Sequence, residues 1–408
     1  MKTYEIAKLF KKRILPFIVF NLKKNCCYEK INFIDLLIYM TREMEATENG
    51  ADTYRDELKK YGAICPKCGD RMISDRDLWE KGEMTLRIGD NFFLCPSCNH
   101  RKRILPVGGT LRHQLKNFKD EKEIMDMFIR VFEVLWNMIP ESIGFKNKPV
   151  TLAVDINRWL YWGKKDNKYI VGGKRKDGTN YSYKFMTVDI VQPGKRFTLL
   201  ALPVTQLSDR VNLLSELLEF AKKRVKISLV LLDREFFNVA DQELLNNRRL
   251  KYIMPCTAYS NIKDIIKYIP APFAISDFDM GKGKLSYNMV GIKVINDEGK
   301  EELHSFATNI PIDAERPEFE ANRIAGLYRS RWGIETGYRV KTHTFRPKTT
   351  SKDYRIRIFY FYFSILMYNL WILADILVWL ALSNKVGEKH LIKAKFFRKQ
   401  FSLIDPVG

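Results

Sequence analysis

Between Val150 and Pro255 strand-like and helix-like patterns follow one another in an order that few architectures other than a mixed sheet accommodate. Three strand-like segments come first: VTLAVDI at 150–156, YSYKFMTVDIV at 181–191 and FTLLALPV at 197–204. The turn signals Gly172-Gly173, Asp177-Gly178 and Pro193-Gly194 lie among them, so they read as an antiparallel meander. Then VNLLSELLEFAKKR has helical periodicity, and ISLVLLD at 227–233 is a continuous apolar run, the mark of a strand buried on both faces. VADQELLNNRRL is helical again and KYIMP a short strand. Right-handed crossovers would place the first and fourth strands side by side.

A meander followed by such crossovers is the order of a ribonuclease H-like α/β core. The expected fold class is therefore α/β: a ribonuclease H-like mixed sheet with a β-rich insertion, preceded by an N-terminal helical and zinc-ribbon region. The expected organisation is a helical region at 1–55, a four-cysteine zinc ribbon at 56–115, a helical connector at 116–149 and a first part of the core at 150–256. A β-rich insertion at 257–320 contains LSYNMVGIKVI and ELHSFATNI, and the second part of the core spans 321–382. That second part opens on one long helical pattern from Glu318 to about Thr342. A basic tail at 383–408 carries six Lys or Arg against the single Glu388 between 384 and 400.

Charge indicates the partner. The formal net charge is +21, from 69 Lys and Arg against 48 Asp and Glu, well beyond the roughly 2–8 that suits a small soluble domain. A polyanion follows, nucleic acid before an anionic membrane surface. With 46% hydrophobic residues the chain is no disordered tail. The segment Ile358–Leu382 is long enough to span a bilayer, but it contains Asn369 and Asp375 and has no second span beside it, so it reads as the buried helix of a large core. No membrane is expected as partner.

Cys65-Pro-Lys-Cys68 and Cys95-Pro-Ser-Cys98 form two knuckles with 26 residues between them. Four thiolates at that spacing close a tetrahedral site for one structural Zn2+, and the intervening MTLRIG and NFFL fit a ribbon. No secretory cleavage site follows the N-terminus, and the thiols read as ligands in a reducing, cytoplasmic compartment. Arg101, Lys102 and Arg103 flank the second knuckle and are expected to contact DNA.

Asp155 and Asp233 each stand at the C-terminal end of an apolar strand, where burial penalises a charge unless a metal or partner compensates it. Phosphoryl transfer is served by two hard divalent cations held by carboxylates. In AGLYRSRWGIETGYRVK at 325–341, Tyr328, Arg331, Glu335 and Arg339 recur at helical spacing on one face, surrounding an acid with cations and an aromatic ring. Asp189, in the second strand, is a rival acid that this reading leaves out.

These residues carry a resemblance. Tyr328-x2-Arg331-x3-Glu335, with Lys341 downstream, resembles the YREK signature of the insertion-sequence-four group of DDE transposases. LLDREFF at 231–237 and VDIN at 154–157 are similar to that group's two Asp motifs, and the order of Asp, Asp, inserted β segment and Glu matches over about residues 150–382. The chain departs from the pattern in having five residues between Glu335 and Lys341, where six are usual, and Glu235 where Gly is common. The resemblance implies that Asp155, Asp233 and Glu335 bind two Mg2+ or Mn2+ ions. It implies that Tyr328, Arg331 and Lys341 hold DNA phosphate, with Arg339 as substitute for Lys341. It further implies double-stranded DNA as partner (transposon ends and target), a homodimer on DNA, and a prokaryotic, nucleoid-associated setting. Two other readings remain open: a zinc-ribbon DNA-binding regulator with an inactive ribonuclease H-like domain, and a structure-specific DNA nuclease or resolvase.

Overall fold

The computed structural model describes residues 3–22, 24, 26, 28–65, 67–82, 92–103, 106–257, 269–280, 283–295 and 298–401. The chain divides into two compact units, one formed by residues 1–139, 339–386 and 390–408, the other by 140–338 with 387–389.

The first unit contains the helices α1 (Thr3–Arg13), α2 (Lys30–Glu43) and α3 (Thr47–Tyr61). After them come the short strands β1 (Ala63–Ile64) and β2 (Arg71–Ser74), helix α4 (Asp75–Glu80), and strands β3 (Phe92–Leu94) and β4 (Arg101–Arg103). The four strands pair in sequence order as one small antiparallel sheet. The expected strand MTLRIG lies outside the described residues. Helices α5 (Gly108–Lys116) and α6 (Glu121–Asn137) complete the N-terminal part. Asp120 caps α6 by accepting from the Glu123 amide, and its residues Ile124, Met127, Phe128, Val131, Phe132 and Leu135 form one buried stripe at helical spacing.

The other unit is built on one sheet. Its strands are β5 (Val150–Tyr161), β6 (Ile170–Lys176), β7 (Thr179–Ile190) and β8 (Phe197–Val204), followed, after helix α7 (Arg210–Lys222), by β9 (Ile227–Leu232). Helix α8 (Val239–Asn247) leads to β10 (Tyr252–Pro255), and β11 (Phe273–Met280), β12 (Leu285–Ile295) and β13 (Glu301–Thr308) finish the set. The order is β11-β12-β13-β10-β9-β5-β7-β6, with β8 paired to the other half of β7's free edge. Strands β5, β9 and β10 run parallel and the other pairings are antiparallel. The expected mixed sheet, with its first and fourth strand segments adjacent, is therefore borne out. Two strands went unanticipated: β6, whose IVGGKRK lacks an apolar pattern, and β11, FAISDFDM. The β-rich segment after residue 257 contributes β11–β13 to this same sheet, since β13 pairs with β10.

Helices α9 (Pro317–Arg329) and α10 (Trp332–Val340) cover one face: Ala321, Ile324, Ile334 and Tyr338 pack with Ala153, Leu229, Leu231 and Ile253. One continuous helix was expected here. It breaks at Ser330-Arg331, where the Ser330 hydroxyl donates to the Leu327 carbonyl and Arg331 N–H bonds to Tyr328 O at 2.9 Å, a three-residue turn in place of an α-turn.

A π-helical turn, Lys341–Phe345, precedes α11 (Tyr354–Ser383), whose residues from Ile356 to Ile376 are all buried. By length and composition α11 could cross a membrane. Instead it forms the centre of the first unit, its Phe359 ring 5.2 Å from Phe128 and 5.8 Å from Phe118. Its fully buried Asp375 is satisfied: one carboxylate oxygen accepts from the Ile392 amide at 2.8 Å and the other meets His390 Nδ1 at 2.9 Å. The expected basic tail includes a helix, α12 (Ala394–Phe401), with Phe397 and Phe401 buried. Asp375→Ala orphans both partners inside the core and is expected to lower unfolding free energy by at least about 2 kcal/mol in urea titrations; an unchanged midpoint would refute this account of α11.

Candidate active site

Pairing geometry brings the first two acids together. The parallel ladder between β5 and β9 ends at Val154 opposite Leu232, so the next residue on each strand is an aspartate, Asp155 and Asp233. The position expected for Asp155 needs correcting. It does not end its strand: β5 continues to Tyr161 against β7, and only its pairing with β9 stops at Val154. Side chains alternate along a strand, so Asp155 shares a face with Ala153, the face covered by Ile334 and Tyr338 of α10. Asp233 then begins a 3-10 turn, Arg234–Phe236, whose Phe236 is fully buried.

Glu335 reaches the same place from α10. Arg331, 9% exposed, lies in the break before that helix; its guanidinium ion-pairs with Glu335 and stands 3.9 Å from Asp155 Oδ2. It also sits 5.4 Å from the Tyr328 ring. Tyr328 donates to Leu232 O at 3.1 Å, tying α9 to the last residue of β9. Burial works against the Arg331 charge, but Tyr328, Asp155, Asp233 and Glu335 together outweigh it and raise its pKa. Its buried Nε has no hydrogen-bond partner.

Burial, then the charge of Asp233 and, less, that of Glu335, push the Asp155 carboxyl up to about 6, against the pull of Arg331 and of the Ile156 amide at 2.8 Å. Arg331 thus contacts two of the three carboxylates and feels the charge of the third, Asp233; among the described residues only the four cysteines bring three or more ligand atoms within 4.8 Å of one another. The rival Asp189 is engaged by hydroxyl donors of its own sheet. It is buried, it accepts from Thr187 at 2.7 Å and from Thr198, and it stands opposite Ala153 on β7.

Sequence reasoning passed over Tyr338. Its hydroxyl is 2.6 Å from Thr187 Oγ1 and donates to the Asp155 carbonyl at 3.1 Å, fixing the backbone that carries the first acid. The signal was present: Tyr338 stands three residues after Glu335 on the same helix face. Glu235, where the family pattern has Gly, ion-pairs with Arg158 of β5 and its carbonyl accepts from Arg210 at 2.7 Å.

The remaining expected residues belong to the first unit. Lys341 is 1% exposed, its ammonium 5.0 Å from the Tyr368 ring centroid. That corrects the expectation of a phosphate contact there, because a side chain enclosed in this way presents no surface to DNA. Arg339 is exposed. Arg101 is exposed beside the Phe92 ring, and Lys102 pairs with Glu29 at 2.8 Å. Arg103 lies on β4.

The ligand atoms of Cys65, Cys68, Cys95 and Cys98 all lie within 4.8 Å of one another. Each knuckle closes in the same way, Gly69 N–H to Cys65 O and Asn99 N–H to Cys95 O, both 2.9 Å, with Gly69 and Asn99 at positive φ. Desolvation opposes ionisation of the Cys65 thiol, but hydrogen bonds from the Cys68 and Lys67 amides outweigh it and bring the pKa down to about 7. The Cys68 and Cys98 thiols are pushed up instead, their backbone hydrogen bonds outweighed by burial and by neighbouring sulfurs, so it is the convergence of the four sulfurs that fits a tetrahedral soft-metal site.

Residues 157–370 match the family described as the transposase DDE domain, a stretch that includes Asp233 and Glu335 and begins two residues after Asp155. The fold is similar to that in a cryo-EM structure of a piggyBac transposase synaptic complex with hairpin DNA, with a TM-score of 0.55 and 14% sequence identity, covering 98% of this chain and 79% of that one. No curated protein matches the chain.

The raised Asp155 pKa fixes a sign. Between the ordinary 3.8 and about 6 the folded protein holds a proton that the unfolded chain has released, so metal-free stability falls as pH rises through this window. Asp155→Asn is therefore expected to melt higher than the wild type at pH 7 in chelator, with the difference vanishing below about pH 4; a lower melting point at pH 7 would contradict the crowding of charge described here.

Proposed function

From the premise that the chain belongs to the transposase DDE domain family, we propose that it cuts DNA at insertion-sequence ends and joins them to target DNA by phosphodiester hydrolysis and strand transfer. The observation that carries this reading is that Asp155 and Asp233 follow the last β5–β9 pair on adjacent strands, with Arg331 contacting both Asp155 and Glu335. Within the family, the motifs around these residues favour the insertion-sequence-four group.

In this reading Asp155, Asp233 and Glu335 hold two Mg2+ or Mn2+ ions. When bound, such ions lower the pKa of water or a 3′-hydroxyl and stabilise charge on the attacking and leaving oxygens. The chain's own residues do the rest. Tyr338 and Thr187 fix the strand that carries Asp155, and Tyr328 fixes the end of β9. Arg331 balances charge between two of the acids, and with Tyr328 it is the phosphate contact that the resemblance implies beside them. Arg339 and the Arg101–Arg103 strand supply further phosphate contacts. The four cysteines hold one Zn2+ as a structural ribbon. Two copies of the chain acting on paired ends, in a prokaryotic cytoplasm, complete the proposal.

Two experiments test it. On duplexes carrying the inverted repeats that flank the coding region, Asp155→Ala, Asp233→Ala and Glu335→Ala are each expected to abolish Mn2+-dependent nicking while the circular-dichroism spectrum is retained. Wild-type nicking by all three would reject the assignment. For the ribbon, purified protein is expected to contain one zinc per chain by elemental analysis and to lose the fold of residues 56–115 on chelation, since the metal supplies on the order of 10 kcal/mol to so small a module. Zinc-free protein with an unchanged proteolysis pattern in this region would count against it.

A further inference from the structure

Beyond the acids, β5 enters a region of concentrated positive charge that the chemistry above does not use. Arg158, three residues past Asp155, stands directly opposite Lys184 of β7. Like charges opposed across an antiparallel pair are destabilising. The two cations also converge over β6: a Cβ placed on Gly173 would lie 3.7 Å from the Lys184 ammonium and 4.0 Å from an Arg158 guanidinium nitrogen. Glu235 answers Arg158 through an ion pair. Burial, then Arg158, holds the Lys184 pKa below its ordinary value, with Glu235 pulling the other way.

The strand beneath them is bare. Gly172 and Gly173 are exposed, and nothing lies within 4 Å of a Cβ on Gly172. Glycine inside a strand commonly marks close approach of a ligand or another backbone. From there the exposed Lys174, Arg175 and Lys176 run to the tip, where Asp177 and Gly178 both have positive φ in a tight two-residue turn. The Trp162 indole donates to Asp177 O at 2.9 Å and, at 67% exposure, leaves its ring open to solvent beside this tip.

We propose that the β6–β7 hairpin is a clamp for the DNA backbone, with a phosphate seated on Gly172-Gly173 between Arg158 and Lys184 and the strand continuing along Lys174–Lys176. Arg158 lies about 10 Å along β5 from Asp155 and, at an odd separation, on the opposite face of the strand, so the clamp would hold backbone away from the acids themselves. A phosphate relieves the repulsion between the two cations, and the missing side chains let its oxygens reach them. The clamp rests on the transposase reading and adds to it a surface distinct from the acid site and the cysteine knuckles.

The test is equilibrium binding of the full-length protein to a labelled inverted-repeat duplex across a salt series, with wild-type nicking measured on the same duplex. Lys184→Gln is expected to lower the log–log salt slope by about 1, and the combined Lys174→Gln, Arg175→Gln and Lys176→Gln variant by roughly 2–3, with affinity at physiological salt down at least about tenfold. Lys184→Arg should keep the wild-type slope. Because Lys174, Arg175 and Lys176 are exposed, the triple variant provides the test should Lys184→Gln fail to fold. Wild-type slopes and affinities in both Gln variants would overturn the clamp even if the wild type nicks DNA. A slope that depends on the hairpin in a protein that never nicks would reject the transposase reading and leave the clamp standing.

Discussion

The β5–β9 ladder is the constraint on which the site depends. Five residues of each strand pair in parallel and the pairing then ceases, so that Asp155 and Asp233 are left side by side with no further ladder between them. The apolar residues behind them, Val154 and Leu232 among others, are fully buried and fix the register. A slip by one residue would turn Asp155 to the opposite face, away from α10 and Glu335. Carboxylate chemistry here is thus a consequence of strand register, which is itself a consequence of burying ISLVLL on both faces.

What the register creates, the broken helix balances. A continuous helix from Pro317 to Val340 would carry Arg331 at regular helical geometry; the turn at Ser330 instead brings it under cover, between Glu335 and Asp155. One buried guanidinium stands against three carboxylates, and burial first, then the charge of Asp233, raises the Asp155 pKa. Such a site is unfavourable for folding and favourable for a doubly charged ion, a familiar opposition between stability and function.

Legibility differed by residue for physical reasons. ISLVLLD announced both a buried strand and the acid at its end, because a central parallel strand has no polar face to blur the pattern. The place of Asp155 within β5 could not be read, since NRWLY continues as strand on one side only, and loss of one ladder leaves no mark in local composition. The break at Ser330 was hidden by apolar periodicity that runs unbroken through it. Strand β6 escaped notice because IVGGKRK has the composition of a loop, and its edge position tolerates glycine and charge. Lys341 misled because a lysine is rarely enclosed, and an aromatic neighbour such as Tyr368 is invisible at a separation of 27 residues. The apolar helix, by contrast, declared its burial through Asn369 and Asp375, polar side chains that require partners within a protein core.

The central claim is that Asp155, Asp233 and Glu335 chelate divalent cations at one point. Localised oxidative cleavage measures this in solution: Fe2+ replaces Mg2+, peroxide and ascorbate generate radicals at the bound ion, and the backbone cuts are mapped by mass spectrometry. The account predicts cuts clustered beside all three residues, suppressed together by excess Mg2+. Cuts beside only one of them, or confined to the cysteine knuckles, would contradict it.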